Sequence, residues 1–219
     1  MRENYKKIIE IQNEFAKRVI SSDYFSKNTI HRICGIDVSY DNSNAFCTAV
    51  IINKNTLDIM EIMNEKSKVK YPYMTGLFIL REGKPILKIL KSLKNKFDLL
   101  LIDGNGVLHP RKCGLASYIG IVIGIPTIGV TKNLLCGSIL GNNYIEYNKT
   151  ILGYRIKKNN SKAIYVSVGH KISLGTAIDL IKQITKKEEF MPEPLRIADI
   201  NSKKYKILDN KLKIYDHKV

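Results

Sequence analysis

The chain has 219 residues, of which 44% are hydrophobic, and its 36 basic and 20 acidic side chains give a formal net charge of +16. This composition predicts a globular protein with a substantial core. No apolar run approaches the roughly 20 residues that a membrane-spanning helix needs, and the charged first residues are unlike a secretory signal. We therefore expect a cytoplasmic protein without a membrane partner, or a nuclear or nucleolar one in a eukaryote.

The first elements in chain order are a helix and three strands. Apolar positions at helical spacing predict an amphipathic helix over residues 3–20. Alternating patterns then predict strands at 32–40, 45–53 and 56–63. Because two short connections follow each other, we expect an antiparallel meander of these three strands.

The elements predicted for the middle of the chain are, in order, a loop with aromatic side chains at 71–80, a helix at 81–96, a strand at 98–103, a helix at 112–124 and a strand at 126–130. Pro85 is expected in the first turn of its helix, where a missing N–H group is tolerated. The strand ending at Asp103 has an unbroken apolar run, which is typical of a strand buried on both faces in a parallel environment.

The last third of the chain predicts a strand hairpin within 138–156, a strand at 163–169 and a helix capped by Ser173. From about residue 200 to residue 219 the chain is a lysine-rich basic tail, which we expect to be partly mobile. No linker or internal repeat interrupts residues 1–219. The sequence therefore predicts one α/β domain whose mixed sheet carries helices on both faces.

The positive charge indicates a polyanionic partner, because neutralised phosphates release counterions and so drive nucleic-acid binding. A biased genome composition is the alternative explanation, since Lys, Asn and Ile are all abundant. The four cysteines, Cys34, Cys47, Cys113 and Cys136, have no spacing typical of a zinc site or a disulfide framework. We expect them to be reduced side chains that behave as small hydrophobic groups.

Three carboxylates have positions that suggest chemistry. Asp37 lies in the middle of the first strand beside small residues, Asp103 ends the buried strand, and Glu82 opens the helix between them. If these two strands are neighbours, they lie about 4.8 Å apart, and carboxylates so close repel unless a cation joins them. Magnesium prefers oxygen ligands and usually takes one or two carboxylates plus substrate phosphate. We therefore predict a Mg²⁺ site at Asp37 and Asp103, which Glu82 would complete or supply with an oriented water.

Each candidate also has a structural alternative. Asp103 precedes a glycine and could simply form a turn, and Glu82 could serve the helix dipole. Lys132 follows a predicted strand and is placed to stabilise negative charge on a phosphate. His109 lies six residues after Asp103 and either reaches the same site or packs within its loop. No nucleophile elbow, P-loop or dinucleotide fingerprint is present, so these chemistries are not expected.

Six segments resemble endonuclease V in the same order and at similar spacing, and they are "GIDVSY", "PYMTGLFILREG", "DLLLIDGNGVLHPRKCGLASYIG", "PTIGVTKNLLCG", "VSVGHKISL" and "PEPLRIADI". Together they cover most of residues 32–200. The resemblance implies a ribonuclease-H-like fold, in which a mixed sheet of antiparallel meander and parallel strands is flanked by helices. This agrees with the α/β prediction made from periodicity.

The resemblance also implies roles for single residues. Those that match catalytic positions are Asp37 and Asp103 as metal ligands, Glu82 as the catalytic glutamate, Lys132 and His109 facing the scissile phosphate, and Asp199 as a further acidic position near the metal. Those that match substrate-binding positions are Tyr73, Met74, Thr75 and Gly76 in the loop that wedges into the duplex, and Gly104, Gly114, Leu115 and Leu135 around the flipped base. Many bacterial members have proline where this chain has Thr75, which suggests a less rigid wedge.

Endonuclease V cuts DNA or RNA at the second phosphodiester 3′ to hypoxanthine and leaves 3′-hydroxyl and 5′-phosphate ends. The resemblance implies this activity with Mg²⁺, for which Mn²⁺ would substitute, in a monomer that binds nucleic acid. One alternative is a ribonuclease-H-like nuclease with another substrate, which would not cut one nucleotide beyond hypoxanthine. The other is a non-catalytic nucleic-acid-binding protein, in which Asp103→Asn would leave every activity unchanged.

Overall fold

One mixed sheet organises the computed structural model, which describes residues 2–157 and 162–216. Its strand order is β3-β2-β1-β4-β5-β9-β8-β7-β6. The strands are β1 (Arg32–Tyr40), β2 (Asn44–Asn53), β3 (Ile59–Lys68), β4 (Leu99–Asp103), β5 (Thr127–Thr131), β6 (Ser138–Ile139), β7 (Tyr144–Tyr147), β8 (Thr150–Lys157) and β9 (Ala163–His170). The helices are α1 (Arg2–Ala16), α2 (Phe78–Ser92), α3 (Leu115–Ile123), α4 (Leu174–Gln183) and α5 (Glu193–Asp216).

The predicted meander is confirmed, because β1 pairs antiparallel with β2 and β2 pairs antiparallel with β3. The third strand starts at Ile59 and not at residue 56. The Asn53 side chain accepts hydrogen bonds from the N–H groups of Asn55 and Thr56, and Leu57 has a φ of 63°, so this stretch is a turn.

Strands β1 and β4 are parallel neighbours, as the metal-site prediction required. Their register pairs Gly35 with Leu101 and Ile36 with Ile102. Extended by one residue, this register sets Asp37 beside Asp103. Asp37, within β1, and Asp103, the last residue of β4, therefore lie on the same face of the sheet.

The sheet separates two apolar clusters and carries helices on both faces, so the α/β architecture expected for a ribonuclease-H-like fold is confirmed. One cluster joins α1, α2 and α3 to the sheet, for example through Ile8, Ile86 and Ile119. The other joins α4 and α5 to the opposite face, for example through Ile181 and Leu195. Ser173 caps α4 as predicted, because its hydroxyl accepts a hydrogen bond from the Thr176 N–H group.

Two helix predictions are wrong in their boundaries. Helix α1 ends at Ala16, and α2 runs from Phe78 to Ser92 instead of from 81 to 96. Pro85 consequently lies inside α2, about two turns from its start, where it leaves the Arg81 carbonyl without a helical donor. The hairpin predicted within 138–156 is confirmed and comprises β6, β7 and β8.

The basic tail predicted from about residue 200 is helical in the residues that the structure describes. Helix α5 continues without a break through residue 200 to Asp216, and residues 217–219 lie outside the described part. Its face packs on the sheet: the rings of Tyr205 and Phe46 make an edge contact with centroids 5.5 Å apart. Of the helices described, none combines the length and the apolar character that crossing a bilayer requires.

Candidate active site

Asp37 in β1 and Asp103 at the end of β4 are neighbours on the face of the sheet that helix α5 covers. A Cβ atom at Gly35 would lie 2.6 Å from the backbone of Pro194, so only glycine lets this helix approach the strand. Helix α5 thereby brings Ser202 to Asp37, where the Ser202 hydroxyl donates to Asp37 Oδ2 over 2.8 Å. The small residues beside Asp37 therefore form the surface on which helix α5 packs.

Lys132 lies between two carboxylates. Its Nζ is 3.7 Å from Asp103 Oδ2 and 3.5 Å from Asp199 Oδ1. Asp199 belongs to α5, and its other oxygen accepts a 2.6 Å hydrogen bond from Lys203 Nζ. The structure thus brings Asp199 and Lys132 to the predicted Asp37–Asp103 pair.

Glu82 reaches the same cluster from the opposite face of the sheet. Tyr40, the last residue of β1, donates its hydroxyl hydrogen to Glu82 Oε1 over 2.9 Å. The Arg81 guanidinium lies 3.9 Å from the centre of the Tyr40 ring, which holds that ring in place. The Tyr40 hydroxyl therefore orients the Glu82 carboxylate, so the role of Glu82 is not limited to an interaction with the helix dipole.

Burial and mutual repulsion dominate the electrostatics of these carboxyl groups. Burial, together with repulsion from the nearby carboxylates, raises the pKa of Asp103 to about 7 and that of Glu82 to about 8. Burial also raises the pKa of Asp37. For Asp199, burial is outweighed by the hydrogen bonds from Lys203 and Lys132, so its pKa is lowered. The cluster holds more negative charge than its surroundings stabilise.

The donor chemistry fits a divalent cation. Asp37, Asp103 and Glu82 offer only oxygen ligands, the kind that Mg²⁺ and Mn²⁺ prefer, and their raised pKa values indicate a place where a cation would relieve repulsion. Within residues 2–157 and 162–216, no three His, Cys, Asp or Glu side chains are already gathered as a coordination cluster. Two aspartates plus substrate phosphate meet the usual demand of Mg²⁺ without a third protein ligand.

A cleft of about 340 Å³ opens beside Asp103. The predicted site residues that line it are Tyr73, Thr75, Gly76, Asp103, Gly104, His109, Gly114, Leu115, Lys132 and Leu135. Its volume is within the range of small-ligand sites, and its walls combine apolar side chains with backbone groups. At Gly114, a Cβ atom would lie 2.2 Å from the Asn105 carbonyl oxygen, so glycine is required for the two loop segments to meet.

Met74 is the predicted substrate-binding residue that does not line this cleft. Its side chain is partly buried against the apolar cluster of α1, α2 and α3. Tyr73 is 62% exposed, and its ring contacts that of Phe78 with centroids 5.1 Å apart. In the loop "PYMTG", Tyr73 therefore points outward and Met74 anchors the loop.

Three side chains converge on the Gly76 carbonyl oxygen, which we call the Gly76 clamp. Arg111 donates over 2.7 Å, His109 Nε2 lies at 3.0 Å, and Gln12 Nε2 donates over 3.1 Å. Gln12 is buried and also donates to the Cys113 carbonyl over 2.9 Å, while its Oε1 accepts from Arg111 Nε over 2.6 Å. Helix α1 thus joins the wedge loop to the loop after β4.

His109 serves this clamp with both ring nitrogens. The Arg111 N–H group donates to His109 Nδ1 over 3.2 Å, so the Nε2 atom carries the hydrogen that faces Gly76. Burial and the nearby Arg111 charge lower the pKa of His109 to about 4. His109 is therefore a neutral side chain on the cleft wall, with both ring nitrogens in hydrogen bonds. Lys132 is a cation that lies beside the carboxylates of Asp103 and Asp199.

Sequence reasoning missed six residues that support the site, namely Gln12, Tyr40, Arg81, Arg111, Ser202 and Lys203. Ser202 and Lys203 lie three and four residues after Asp199, a spacing that puts them near it on a helix. That signal was lost because the region was predicted to be a mobile tail. Gln12 carried no local signal, since its partners lie 64 to 101 residues away.

Comparison with known proteins supports a family assignment. The sequence model of the family described as Endonuclease V matches residues 13–200. The chain is 38% identical to Endonuclease V from Dictyoglomus thermophilum over 91% of this chain and 90% of that protein. It is 36% identical to Endonuclease V from Thermofilum pendens over 89% of this chain and 85% of the relative.

Solved structures agree. The Streptomyces avermitilis Endonuclease V crystal structure matches with a TM-score of 0.86 at 30% identity, covering 94% of each chain. The Ciona intestinalis Endonuclease V structure matches with a TM-score of 0.82 at 28% identity, covering 93% of this chain and 98% of that one. The Ciona protein was crystallised with a 24mer DNA that contains an inosine followed by a ribo-adenosine.

Proposed function

Because the chain belongs to the endonuclease V family and is an endonuclease, we propose that it recognises hypoxanthine in DNA or RNA and hydrolyses the second phosphodiester bond on its 3′ side. The products would carry 3′-hydroxyl and 5′-phosphate ends. Such an activity serves repair of deaminated DNA or turnover of inosine-containing RNA. We further propose that the working enzyme is a monomer that uses Mg²⁺ or Mn²⁺.

The observation that carries this proposal is that the carboxylate cluster and the cleft share consecutive residues. Asp103 belongs to both, and Gly104, Gly114 and Leu115 line the cleft beside it. A base turned out of its stack into the cleft would place its own strand at Asp103 and Lys132. Extruding a base costs a few kcal/mol and least for a poorly paired one, which favours a deaminated base.

In the proposed mechanism, Asp37 and Asp103 would hold the metal, and Asp199 lies near them beside Lys132. The metal would supply Lewis-acid stabilisation of the phosphate oxygens and a water of lowered pKa. Glu82, oriented by the Tyr40 hydroxyl, would position the attacking water and, in its ionised form, take up a proton from that water. As the water oxygen bonds to phosphorus, the bond from phosphorus to the 3′ oxygen breaks, and the 3′ oxygen leaves as a hydroxyl with a proton from solvent. Lys132 donates to the phosphate where negative charge develops.

The wedge and the pocket supply selectivity. The exposed ring of Tyr73 fills the space that the extruded base leaves, and the Gly76 clamp holds the wedge loop against the cleft wall. Thr75 also lines the cleft, at the position where the sequence resemblance implies a proline in many bacterial members. The net charge of +16 supplies affinity that does not depend on sequence.

A single cleavage assay tests the proposal. Inosine-containing single-stranded RNA and deoxyinosine-containing duplex DNA are incubated with Mg²⁺, with Mn²⁺ and with chelator, and the cut is mapped to the nucleotide. We expect a cut one nucleotide beyond hypoxanthine that disappears with chelator. Cleavage of neither substrate with either metal would refute it.

Two variants complete that assay. Asp103→Asn should abolish the cut, since it removes one charge from the pair beside Lys132. Asp58→Asn is the matched control, because Asp58 is an exposed carboxylate in the turn before β3. Equal loss of activity in both variants would show that the effect does not arise at the carboxylate cluster.

A further inference from the structure

A second groove, which we call the lysine groove, lies between the end of β3 and the first half of α2 and has a volume of about 440 Å³. The cationic residues that line it are Lys66, Lys68, Lys70, Arg81, Lys84 and Lys88, of which Lys66 directs its ammonium group to Asp209 of α5. Among the described residues no carboxylate lines it, and Tyr71 is its aromatic side chain. A concave surface lined by one sign of charge concentrates counterions of the opposite sign.

Much of this charge is not neutralised by the protein itself. Lys66 is paired with Asp209 over 2.5 Å, and Lys88 is paired with Glu65. In the part of the chain that the structure describes, Lys68, Lys70 and Lys84 are exposed and have no carboxylate partner. These lysines repel each other, and no carboxylate of the protein offsets their charge, so they attract a polyanion that enters the groove.

The lysine groove is connected to the active site by neighbouring residues. The loop that contributes Tyr71 to the groove contributes Tyr73 to the cleft two residues later. Arg81 lines the groove, precedes the catalytic Glu82 in sequence and stacks on the ring of Tyr40. The groove and the active site therefore draw on the same loop and on consecutive residues of α2.

The spacing of the cations suits an extended polyanion. Of the three cations without a carboxylate partner, Lys68 ends β3 and Lys70 follows two residues later, an interval of about 6.7 Å in an extended chain. Lys84 lies on the other wall of the groove, on α2. Cations on both walls offer successive contacts along a phosphate backbone, whereas one small anion would use only one of them.

We propose that the lysine groove binds the phosphate backbone of the nucleic acid beyond the cleft. This inference rests on the proposed function, because it takes the strand bound in the cleft to continue into the groove. It adds an extended binding surface whose contribution depends on substrate length and not on the damaged base. Lys68, Lys70 and Lys84 are its principal contacts.

The test measures binding of unmodified single-stranded oligonucleotides by fluorescence anisotropy between 0.1 and 0.3 M salt. The groove variant carries Lys68→Gln, Lys70→Gln and Lys84→Gln. The matched control carries Lys149→Gln, Lys182→Gln and Lys187→Gln, which removes the same charge from exposed positions outside groove and cleft. Oligonucleotides of about 5 nucleotides are compared with longer ones extended on the 5′ side or on the 3′ side.

Three lost contacts to a single strand should reduce the slope of log affinity against log salt by about 2. The groove variant should then bind the extended oligonucleotides about 100-fold more weakly at 0.1 M salt and about tenfold more weakly at 0.3 M. The short oligonucleotide should bind almost equally to both variants. One direction of extension should account for the loss, and that direction identifies the strand end that the groove holds.

An unchanged salt slope in the groove variant, or an equal loss in the control variant, would overturn the proposal. Because the oligonucleotides contain no hypoxanthine and need not be cut, this outcome is independent of the cleavage assay. If the groove variant binds like the control while the wild type cleaves inosine substrates, only the proposal for the lysine groove is refuted. If the groove variant binds more weakly but the wild type cleaves no inosine substrate, only the proposed activity is refuted.

Discussion

Replacing Gln12 by methionine tests whether the Gly76 clamp positions the wedge loop. Methionine has a similar length but no donor or acceptor to replace the amide. The change removes the donors to the carbonyls of Gly76 and Cys113 and the acceptor for Arg111 Nε. Gly76 keeps Arg111 and His109 as donors, whereas the Cys113 carbonyl loses its hydrogen bond to Gln12.

The expected stability cost follows from these contacts. An orphaned buried acceptor costs about 1–3 kcal/mol, and a hydrogen bond from a charged donor contributes about 1.5–3 kcal/mol. Because Arg111 remains partly solvated, we expect a total loss of about 3 kcal/mol, or a decrease in Tm of about 10 °C in a chain of this length. Thermal unfolding without nucleic acid measures this value.

The functional effect should go beyond stability. With the wedge loop less tightly held, we expect KM for an inosine substrate to rise about tenfold, equivalent to about 1.4 kcal/mol, with little change in kcat. The assay is run well below Tm with the folded fraction determined by active-site titration. Gln183→Met, on the exposed face of α4, is the control. A lower Tm in Gln12→Met with unchanged KM would refute a positioning role for the clamp.

Three further predictions concern His109, Tyr40 and Thr75. Because the folded protein lowers the pKa of His109 from 6.5 to about 4, the unfolded chain takes up the proton first as pH falls. Between pH 7 and pH 4, the free energy of unfolding of the wild type, measured with urea, should fall by about 3 kcal/mol more than that of His109→Gln. Parallel plots of unfolding free energy against pH for the two proteins would contradict this. Tyr40→Phe removes a hydrogen bond that lowers the pKa of Glu82, so the acid limb of the pH–rate profile should move to higher pH, and an unmoved limb would exclude the contact from catalysis. Thr75→Pro should stiffen the wedge and increase cleavage of duplex relative to single-stranded substrate; equal cleavage of both by wild type and variant would argue against a role for Thr75.

The pairing of Asp37 with Asp103 could be predicted because two local signals define it. Strand alternation assigned Asp37 to a face with small residues, and the unbroken apolar run before Asp103 indicated a buried parallel strand. Parallel neighbours then align their carboxyl ends, and the register confirms this. The roles assigned to these residues stay predictions that the cleavage assay tests.

Helix α5 shows why other parts could not be predicted. Its lysine-rich sequence lacks a strong apolar stripe, and its order comes from distant partners such as Phe46 under Tyr205 and Lys66 beside Asp209. Such contacts depend on the assembled sheet and leave no periodic pattern. The start of α2 was missed for a related reason, because the apolar residues Phe78 and Ile79 read equally well as a buried strand.

The contact between Ser202 and Asp37 spans 165 residues and makes the active site depend on the packing of helix α5. Asp37, Glu82, Asp103 and Lys132 all belong to the sheet or to segments that precede α5 in the chain. Asp199, Ser202 and Lys203 reach them only when α5 packs on that sheet. A folding intermediate with a formed sheet and an undocked α5 would therefore hold the carboxylate pair without the helix that completes the site.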